Sequence, residues 1–436
     1  MLKKFENHIN KNLPFLKGSK LLLTVSGGID SVILTHLFYK LDYNISIAHC
    51  NFCLRGIDAD HDQQSVKNLS EKLSVPFFST SFDTQQFATS HKLSIQEAAR
   101  NLRYKWFNEV LKEQQLDYII TAHNLNDNLE TFLINLSRGT GLKGLTGIPM
   151  INKNSIRPLM PFTRKEITTF AKEHNIEWRE DKSNADTKYT RNKIRHKIIP
   201  VLEELNPNLL ESFKKTLENL QGSQDIITDC IKEIKPDNQT VKTAVLKFDI
   251  DKLKNLTNPK AYIHELFASY NFTNFNDIVD LLNAQSGKQV FSKTHRLIKD
   301  RTVLLLEELK NKENEELIEI TENDSFFKIQ EAIFSIQNTA QKTQNSNTAN
   351  FDKDLLKFPL TVRKWQKGDY FYPIGMRGKK KLSKYFKDEK MSLIQKENIW
   401  LLLSDNKVVW IIGKRQDERF KITTRTKNRI HINKIK

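Results

Sequence analysis

Short apolar runs alternate with longer stretches of helical period from the start of the chain to about residue 180. Lys20–Val25, Ile45–His49, Phe77–Ser81 and Tyr118–Ala122 read as buried strands. Between and after them, Val32–Leu41, Asp60–Leu73, Ile95–Gln114, Asn126–Leu136 and Arg164–His174 read as helices. This βαβ repetition predicts an α/β domain whose parallel sheet carries helices on both faces. In such sheets ligands bind beyond the C-terminal ends of the strands. The Ser26 loop, His49–Arg55 and His123 all follow predicted strands, so three polar clusters converge on one rim.

The pattern changes further along. Asn208–Ile234 is helical and amphipathic and reads as a connector. Residues 245–310 mix a strand-like Val245–Phe248, helices near Lys260–Tyr270 and Asp277–Asn283, and a hairpin-like Gln289–Leu306. Asn338–Asn350 is rich in Asn, Thr, Gln and Ser and reads as a linker or exposed loop. Phe358–Trp365, Val408–Ile412 and Phe420–Thr424 then read as strands of a small domain. The expected division is an α/β domain at 1–215, a mainly helical domain at 216–337, a linker at 338–357 and a small α+β domain at 358–436.

Composition sharpens this picture. The 436 residues are 38% hydrophobic and 28% charged, suited to a water-soluble protein with real cores. No apolar run reaches the length of a membrane span, and Met-Leu-Lys-Lys-Phe-Glu lacks a signal-peptide core. Three cysteines argue against a disulfide framework, so a cytoplasmic location is expected. The formal net charge is +17. From Thr361 to Lys436 there are 21 Lys and Arg against 7 Asp and Glu, a net of +14, so the excess is concentrated at one end. Such clustering points to a polyanionic partner, RNA above all.

The chemistry-bearing segments lie on the rim. Ser26-Gly27-Gly28-Ile29-Asp30-Ser31 joins a predicted strand to a predicted helix and forms an anion cradle. A Walker loop would place Lys before the final Ser or Thr. Asp30 stands there instead, suited to holding Mg2+ against phosphates or, alternatively, to capping. In Thr121-Ala122-His123-Asn124-Leu125-Asn126-Asp127-Asn128-Leu129-Glu130-Thr131, a helix beginning near Asn124 puts Asp127 and Glu130 on one face; N-terminal capping is the simpler alternative. Arg100 and Arg103 are spaced to present two guanidinium forks on one helix face, unless they only form surface salt bridges. Arg191, Lys193, Arg195, His196 and Lys197 form a basic segment suited to guiding RNA. Cys50-Asn51-Phe52-Cys53 contains C-x-x-C, but zinc commonly needs two such pairs and the third cysteine, Cys230, is distant in sequence.

The loop resembles that of the PP-loop ATP pyrophosphatases. The order Ser-Gly-Gly-x-Asp-Ser, His-x-Asn-x-x-Leu-Arg, Glu-Ala-Ala-Arg-x-x-Arg-Tyr and Thr-Ala-His-x-x-x-Asp-x-x-Glu-Thr resembles the tRNA(Ile)-lysidine synthetase family. The run Arg138–Leu145, Arg157-Pro158-Leu159, Asp181-x-Ser-Asn and Arg191-Asn192-x-x-Arg195 extend the likeness to about residue 205. Val362-Arg363, Gly368-Asp369, Pro373-x-Gly375 and Lys380-Lys381-Leu382 add the tail, whereas the middle is similar only in general character.

This resemblance implies an adenine nucleotide alpha hydrolase-like fold and a ligase forming a carbon–nitrogen bond. ATP adenylates O2 of the wobble cytidine in an isoleucine tRNA with a CAU anticodon, releasing pyrophosphate. The amine of free L-lysine then attacks C2 and expels AMP, switching codon reading from AUG to AUA. By resemblance, Ser26, Gly27, Gly28, Ile29, Asp30, Ser31 and His49 bind ATP, with Asp30 on Mg2+. Asp30, Arg100, Arg103, His123, Asp127 and Glu130 carry the chemistry. Residues 216–337 and 358–436 are expected to bind tRNA, with Arg191, Arg195, Arg363, Lys364, Arg377, Lys379, Lys380, Lys381 and Lys384 as phosphate contacts. No membrane and no obligatory protein partner is implied. The chain departs from the family at Asn126, where a second acid is frequent, and at Cys53, where Gly is usual. The competing readings are a PP-loop tRNA cytidine thiolase, an amidotransferase-type synthetase (for which no glutaminase-like nucleophile domain is found) and a non-catalytic tRNA-binding protein.

Overall fold

The structure, a computed structural model, describes residues 1–54, 56–179, 190–236, 245–309, 317–338, 347–376 and 378–435. It divides into two compact units, Met1–Asp229 and Cys230–Lys436.

The first unit is built on strands β1 (Leu21–Thr24), β2 (Ile45–Asn51), β3 (Phe77–Ser81), β4 (Tyr118–Ile120), β5 (Ile151–Asn152) and β6 (Ser155–Ile156). Their order is β3-β2-β1-β4-β6-β5. All neighbours are parallel except the short hairpin β5–β6. The helices are α1 (Leu2–Asn12), α2 (Ile29–Lys40), α3 (Ile57–Leu73), α4 (Thr84–His91), α5 (Ile95–Glu113), α6 (Leu125–Arg138), α7 (Leu142–Leu145), α8 (Arg164–Glu173), α9 (Thr190–Lys193), α10 (Ile199–Leu205) and α11 (Leu209–Ile234).

Helix α2 is apolar nearly all round, and Ile29, Val32, Ile33, Leu34, Leu37 and Phe38 are buried. It belongs to a core with Leu21, Leu23, Ile47, Phe5 and Ile9 of α1, and Ile167 and Phe170 of α8. Helix α1, not expected from the sequence, buries Phe5 and Ile9, four apart on one face. The chain builds β2 and β3 on one side of β1, then crosses to β4 on the other. The strand order therefore reverses between β1 and β4, and a ligand crevice opens at such a point.

Between α9 and α10 the backbone takes a π-helical turn at Ile194–Ile198. Pro200 follows within the first turn of α10 and lacks the N–H that would close a regular turn on His196.

In the second unit, Val245–Asp249, Val303–Glu308, His295–Asp300 and Gln289–Phe291 form one antiparallel sheet, packed against helices Pro259–Phe267 and Phe275–Asn283. The expected hairpin at Gln289–Leu306 is thus three strands rather than two. Two further four-stranded sheets share a core that includes Phe327, Phe351, Leu360, Leu402, Trp410 and Ile430. Strands within 318–337 pair with Leu360–Lys364 and Arg429–Lys434, which carries that segment into the C-terminal sheets. Part of the stretch read as linker is also strand: Thr348–Asp352 pairs with Arg429–Lys434 and buries Ala349 and Phe351. Residues 339–346 lie outside the described residues. The expected strand at Phe420–Thr424 is absent. Phe420 ends a short 3-10 turn capped by Asp417, and Thr423 starts a turn closed by the Thr426 hydroxyl. Arg296 links the sheet at 245–308 to the C-terminal helix Leu393–Glu397, pairing with Glu307 at 2.6 Å and Glu397 at 2.5 Å.

Candidate active site

The loop after β1 is built to receive an anion. Gly27 has φ +93°, a conformation that favours glycine. The Ser31 hydroxyl donates to Gly28 O at 2.8 Å and accepts from Ser26 N at 3.2 Å, closing the loop on itself. His49 is buried beneath it, 2.8 Å from Val25 O. A carbonyl only accepts, so Nδ1 of His49 carries the proton. On the other side Arg179 N donates to Gly27 O at 3.1 Å, and Arg179 Nε binds Asp62 at 2.7 Å. Ile29 packs into the core, so it offers only its backbone to a ligand.

Helix starts around the rim differ in one respect. Ser94, Asn124 and Thr163 close α5, α6 and α8 with capping boxes. Helix α2 begins at Gly28 with no side-chain cap. Its first-turn N–H groups are left for an outside acceptor, and its dipole favours negative charge there.

Asp30 stands in that first turn. Its Oδ2 accepts from Arg164 Nη1, the first residue of α8. Its Oδ1 is sealed from solvent and accepts no well-formed hydrogen bond, although the Asn124 side chain stands close enough to favour its charge. Burial raises the Asp30 carboxyl above its ordinary range, Arg164 pulls it down, and Asp127 pushes it up. An acid in a buried, amide-rich loop, with an oxygen left without a partner, fits a divalent cation that arrives with phosphates.

Beyond β4, His123 lies half-buried with Nδ1 3.0 Å from Thr121 Oγ1. Burial lowers its pKa to about 4; Asp127 opposes this, while Arg157, Arg191 and Arg103 reinforce it. His123 is therefore neutral at pH 7 and cannot act as a fixed cation. Asp127 closes the α6 capping box, accepting from Asn124 N at 3.0 Å through Oδ2. Its Oδ1 lies 3.5 Å from Arg195 Nη2.

Glu130 is 1% exposed and held between two arginines, with Arg195 Nε at 2.6 Å and Arg191 Nε at 3.0 Å. Burial raises its pKa, and Arg195 partly offsets this. The π-helical turn brings Arg195 to the same carboxylate as Arg191 of α9. Both arginines thus pair with this buried carboxylate at the rim while their side chains remain partly exposed.

The structure groups Ser26–Ser31, His123, Asp127, Glu130, Arg191 and Arg195 around the reversal point. Arg103 stacks over the Phe52 ring at 5.1 Å, and its charge reaches Cys50 and His123. Arg100 is exposed and lies over Tyr104 at 5.0 Å. In the tail, Arg363 forms a bidentate pair with Asp369 at 2.9 Å, and Lys380 binds Asp388 at 2.8 Å. Lys364 lies over Trp400 and Lys379 over Tyr370, while Lys381 and Lys384 are exposed. Arg55, Asp181, Ser183, Asn184 and Arg377 lie outside the described residues. Sequence reasoning gave Arg164 no role beyond opening a helix, and it named Arg157 only within the Arg157-Pro158-Leu159 likeness; Arg157 is buried, and its Nη1 donates to Pro149 O at 2.8 Å. Arg164 stands in Thr163-Arg164-Lys165-Glu166, which reads as an ordinary helix start, and its partner Asp30 is far away in sequence.

Residues 1–202 match the family model of a PP-loop domain. Residues 241–309 match that of a TilS substrate binding domain, and residues 360–432 that of a TilS substrate C-terminal domain. Fold, loop and rim together define an ATP-dependent ligase of the PP-loop class. The tRNA(Ile)-lysidine synthase of Parabacteroides distasonis is 37% identical over 419 residues, covering 94% of each chain. That of Bacteroides thetaiotaomicron is 37% identical over 434 residues and 98% of each chain, and that of Clostridium tetani 32% identical over 463 residues, 98% of this chain and 96% of its own. The chain belongs to the tRNA(Ile)-lysidine synthase family.

Proposed function

We propose that this protein joins free L-lysine to C2 of the wobble cytidine in an isoleucine tRNA with a CAU anticodon. ATP first adenylates O2 of the base and releases pyrophosphate. The lysine ε-amine then attacks C2, and the C2–O bond breaks with AMP leaving. The observation that carries this reading is the convergence of an uncapped, glycine-rich helix start with Asp30, His123, Asp127 and Glu130 at one strand-order reversal.

Each group has a distinct task. The open amides of α2 and the Ser26 and Ser31 hydroxyls bind phosphate. Asp30, with Asp127 nearby, would hold Mg2+, which supplies positive charge against the developing pyrophosphate. The lysine ε-amine has an ordinary pKa of about 10.4 and arrives as an ammonium. Asp127 attracts it and takes its proton. Glu130 is committed to Arg191 and Arg195, so it holds them at the rim rather than meeting substrate. Neutral His123 offers a hydrogen bond to the base or nucleotide without competing with the ammonium for Asp127. The middle and C-terminal segments hold the tRNA, with Lys379, Lys381 and Lys384 as phosphate contacts in the latter.

The thiolase reading has a specific obstacle. Burial pushes the Cys50 thiol up to about 12, so without a metal it stays protonated and is a poor nucleophile. The test is incubation with Mg-ATP, labelled lysine and a CAU-anticodon isoleucine tRNA. Label retained on the tRNA with stoichiometric AMP is the expected result. Tight binding of tRNA with neither product would leave a non-catalytic binder, and sulfur-dependent AMP release would revive the thiolase.

A further inference from the structure

Asp30 and its ion-pair partner Arg164 lie 134 positions apart in the sequence. Arg164 is the first residue of α8, and its backbone N–H donates to Asn126 Oδ1 at 2.9 Å. The Arg164 backbone is thereby tied to the first turn of α6, which also carries Asp127. Its side chain is 47% exposed, so the guanidinium has room to move while its backbone stays fixed. The neighbouring acid on α8, Glu166, does not compete for it. Glu166 closes the Thr163 capping box and pairs with Lys4.

A half-exposed ion pair is easily exchanged. A triphosphate carries more charge than one carboxylate and suits a planar guanidinium better. Once Arg164 leaves, the buried Asp30 carboxylate loses its direct ion pair and faces the charge of Asp127, with the Asn124 amide and the more distant Arg195 as its remaining support, which favours a divalent cation. The one side chain can thus couple nucleotide arrival to cation capture.

We propose that Arg164 is a guard on the phosphate loop. It neutralises Asp30 before nucleotide binds, then releases Asp30 to the cation and takes a phosphate oxygen itself. Cation binding at Asp30 is thereby made conditional on nucleotide. The inference rests on reading Asp30 as the metal-facing carboxylate.

Mn2+ serves as the probe, followed by electron paramagnetic resonance on the full chain with and without ATP. Wild type, Arg164→Ala, Arg164→Lys and Asp30→Asn are compared, with circular dichroism melting as the folding control. Arg164→Ala should bind Mn2+ without ATP about tenfold more tightly than wild type, and bind Mn-ATP about tenfold more weakly. Arg164→Lys should restore most of the nucleotide-free behaviour, because it restores the charge. If alanine unfolds the chain, Arg164→Gln, which lacks the charge, takes its place with the same expectation. Both affinities unchanged in the uncharged variant, with Mn-ATP binding lost in Asp30→Asn, overturns the guard and leaves the Asp30 reading standing. Asp30→Asn binding Mn-ATP like wild type overturns both.

Discussion

Gly27 and Cys53 both hold a left-handed backbone, at φ +93° and +52°, yet only the first is glycine. A Cβ on Gly27 would meet nothing closer than 3.7 Å, so the demand there comes from the backbone and not from crowding. Gly27→Ala should cost about 1–2 kcal/mol in urea unfolding and weaken ATP binding, since the loop must relax to relieve φ. Cys53 tolerates its conformation with help from Asn51, whose Oδ1 accepts from Cys53 N at 3.0 Å. That geometry explains why glycine is natural at this position and why the departure seen in the sequence leaves the turn intact. His123 gives a second measurable effect. Its folded pKa of about 4 lies below the ordinary 6.5, so between those values the unfolded chain binds a proton that the native one refuses. Stability should fall as pH drops from 6.5 towards 4 and stay level in this respect above 6.5. His123→Gln should flatten that slope in urea titrations at stepped pH. His36, also lowered to about 4 by burial, has the same sign and leaves part of the slope in place.

At the scale of elements, the Glu130 cluster joins α6 to α9 and the π-helical turn. Glu130→Gln would leave two guanidinium groups facing a neutral amide. A loss of about 2 kcal/mol is expected in urea unfolding, together with a slower lysine transfer step. Arg195→Lys should lose more than its charge suggests, because a single ammonium cannot reproduce the Nε contact with Glu130 while Nη2 faces Asp127. Much of the first unit was legible because its strands are continuous apolar runs and α5, α6 and α8 begin at Ser94, Asn124 and Thr163. The phosphate loop was legible for the same reason: its chemistry is local in sequence. Arg164 was not, since its meaning lies in a partner 134 positions away. The strand at Thr348–Asp352 was hidden by composition, because Ala349 and Phe351 point inward between polar neighbours that resemble a linker.

For the whole molecule, charge is the dominant global feature, and the structure sorts it. Arg363 and Lys380 are already neutralised by Asp369 and Asp388, while Lys381 and Lys384 are exposed and Lys379 lies over Tyr370. Replacing Lys379, Lys381 and Lys384 with Gln should weaken tRNA binding and lower the slope of log affinity against log salt by about 0.7–0.9 per lost contact. Replacing Lys380 should change that slope least, which a filter-binding series over salt would show. The basic tail was visible as a count of residues, but the division between spent and available charge requires coordinates. Arg296 has a different kind of consequence. It grips Glu307 on one side and Glu397 on the other, across two segments that match separate family models. Anyone building hybrids between relatives should therefore exchange residues 245–435 as one cassette. A splice at the apparent seam near 310–360 would pit one parent's arginine against the other parent's helix.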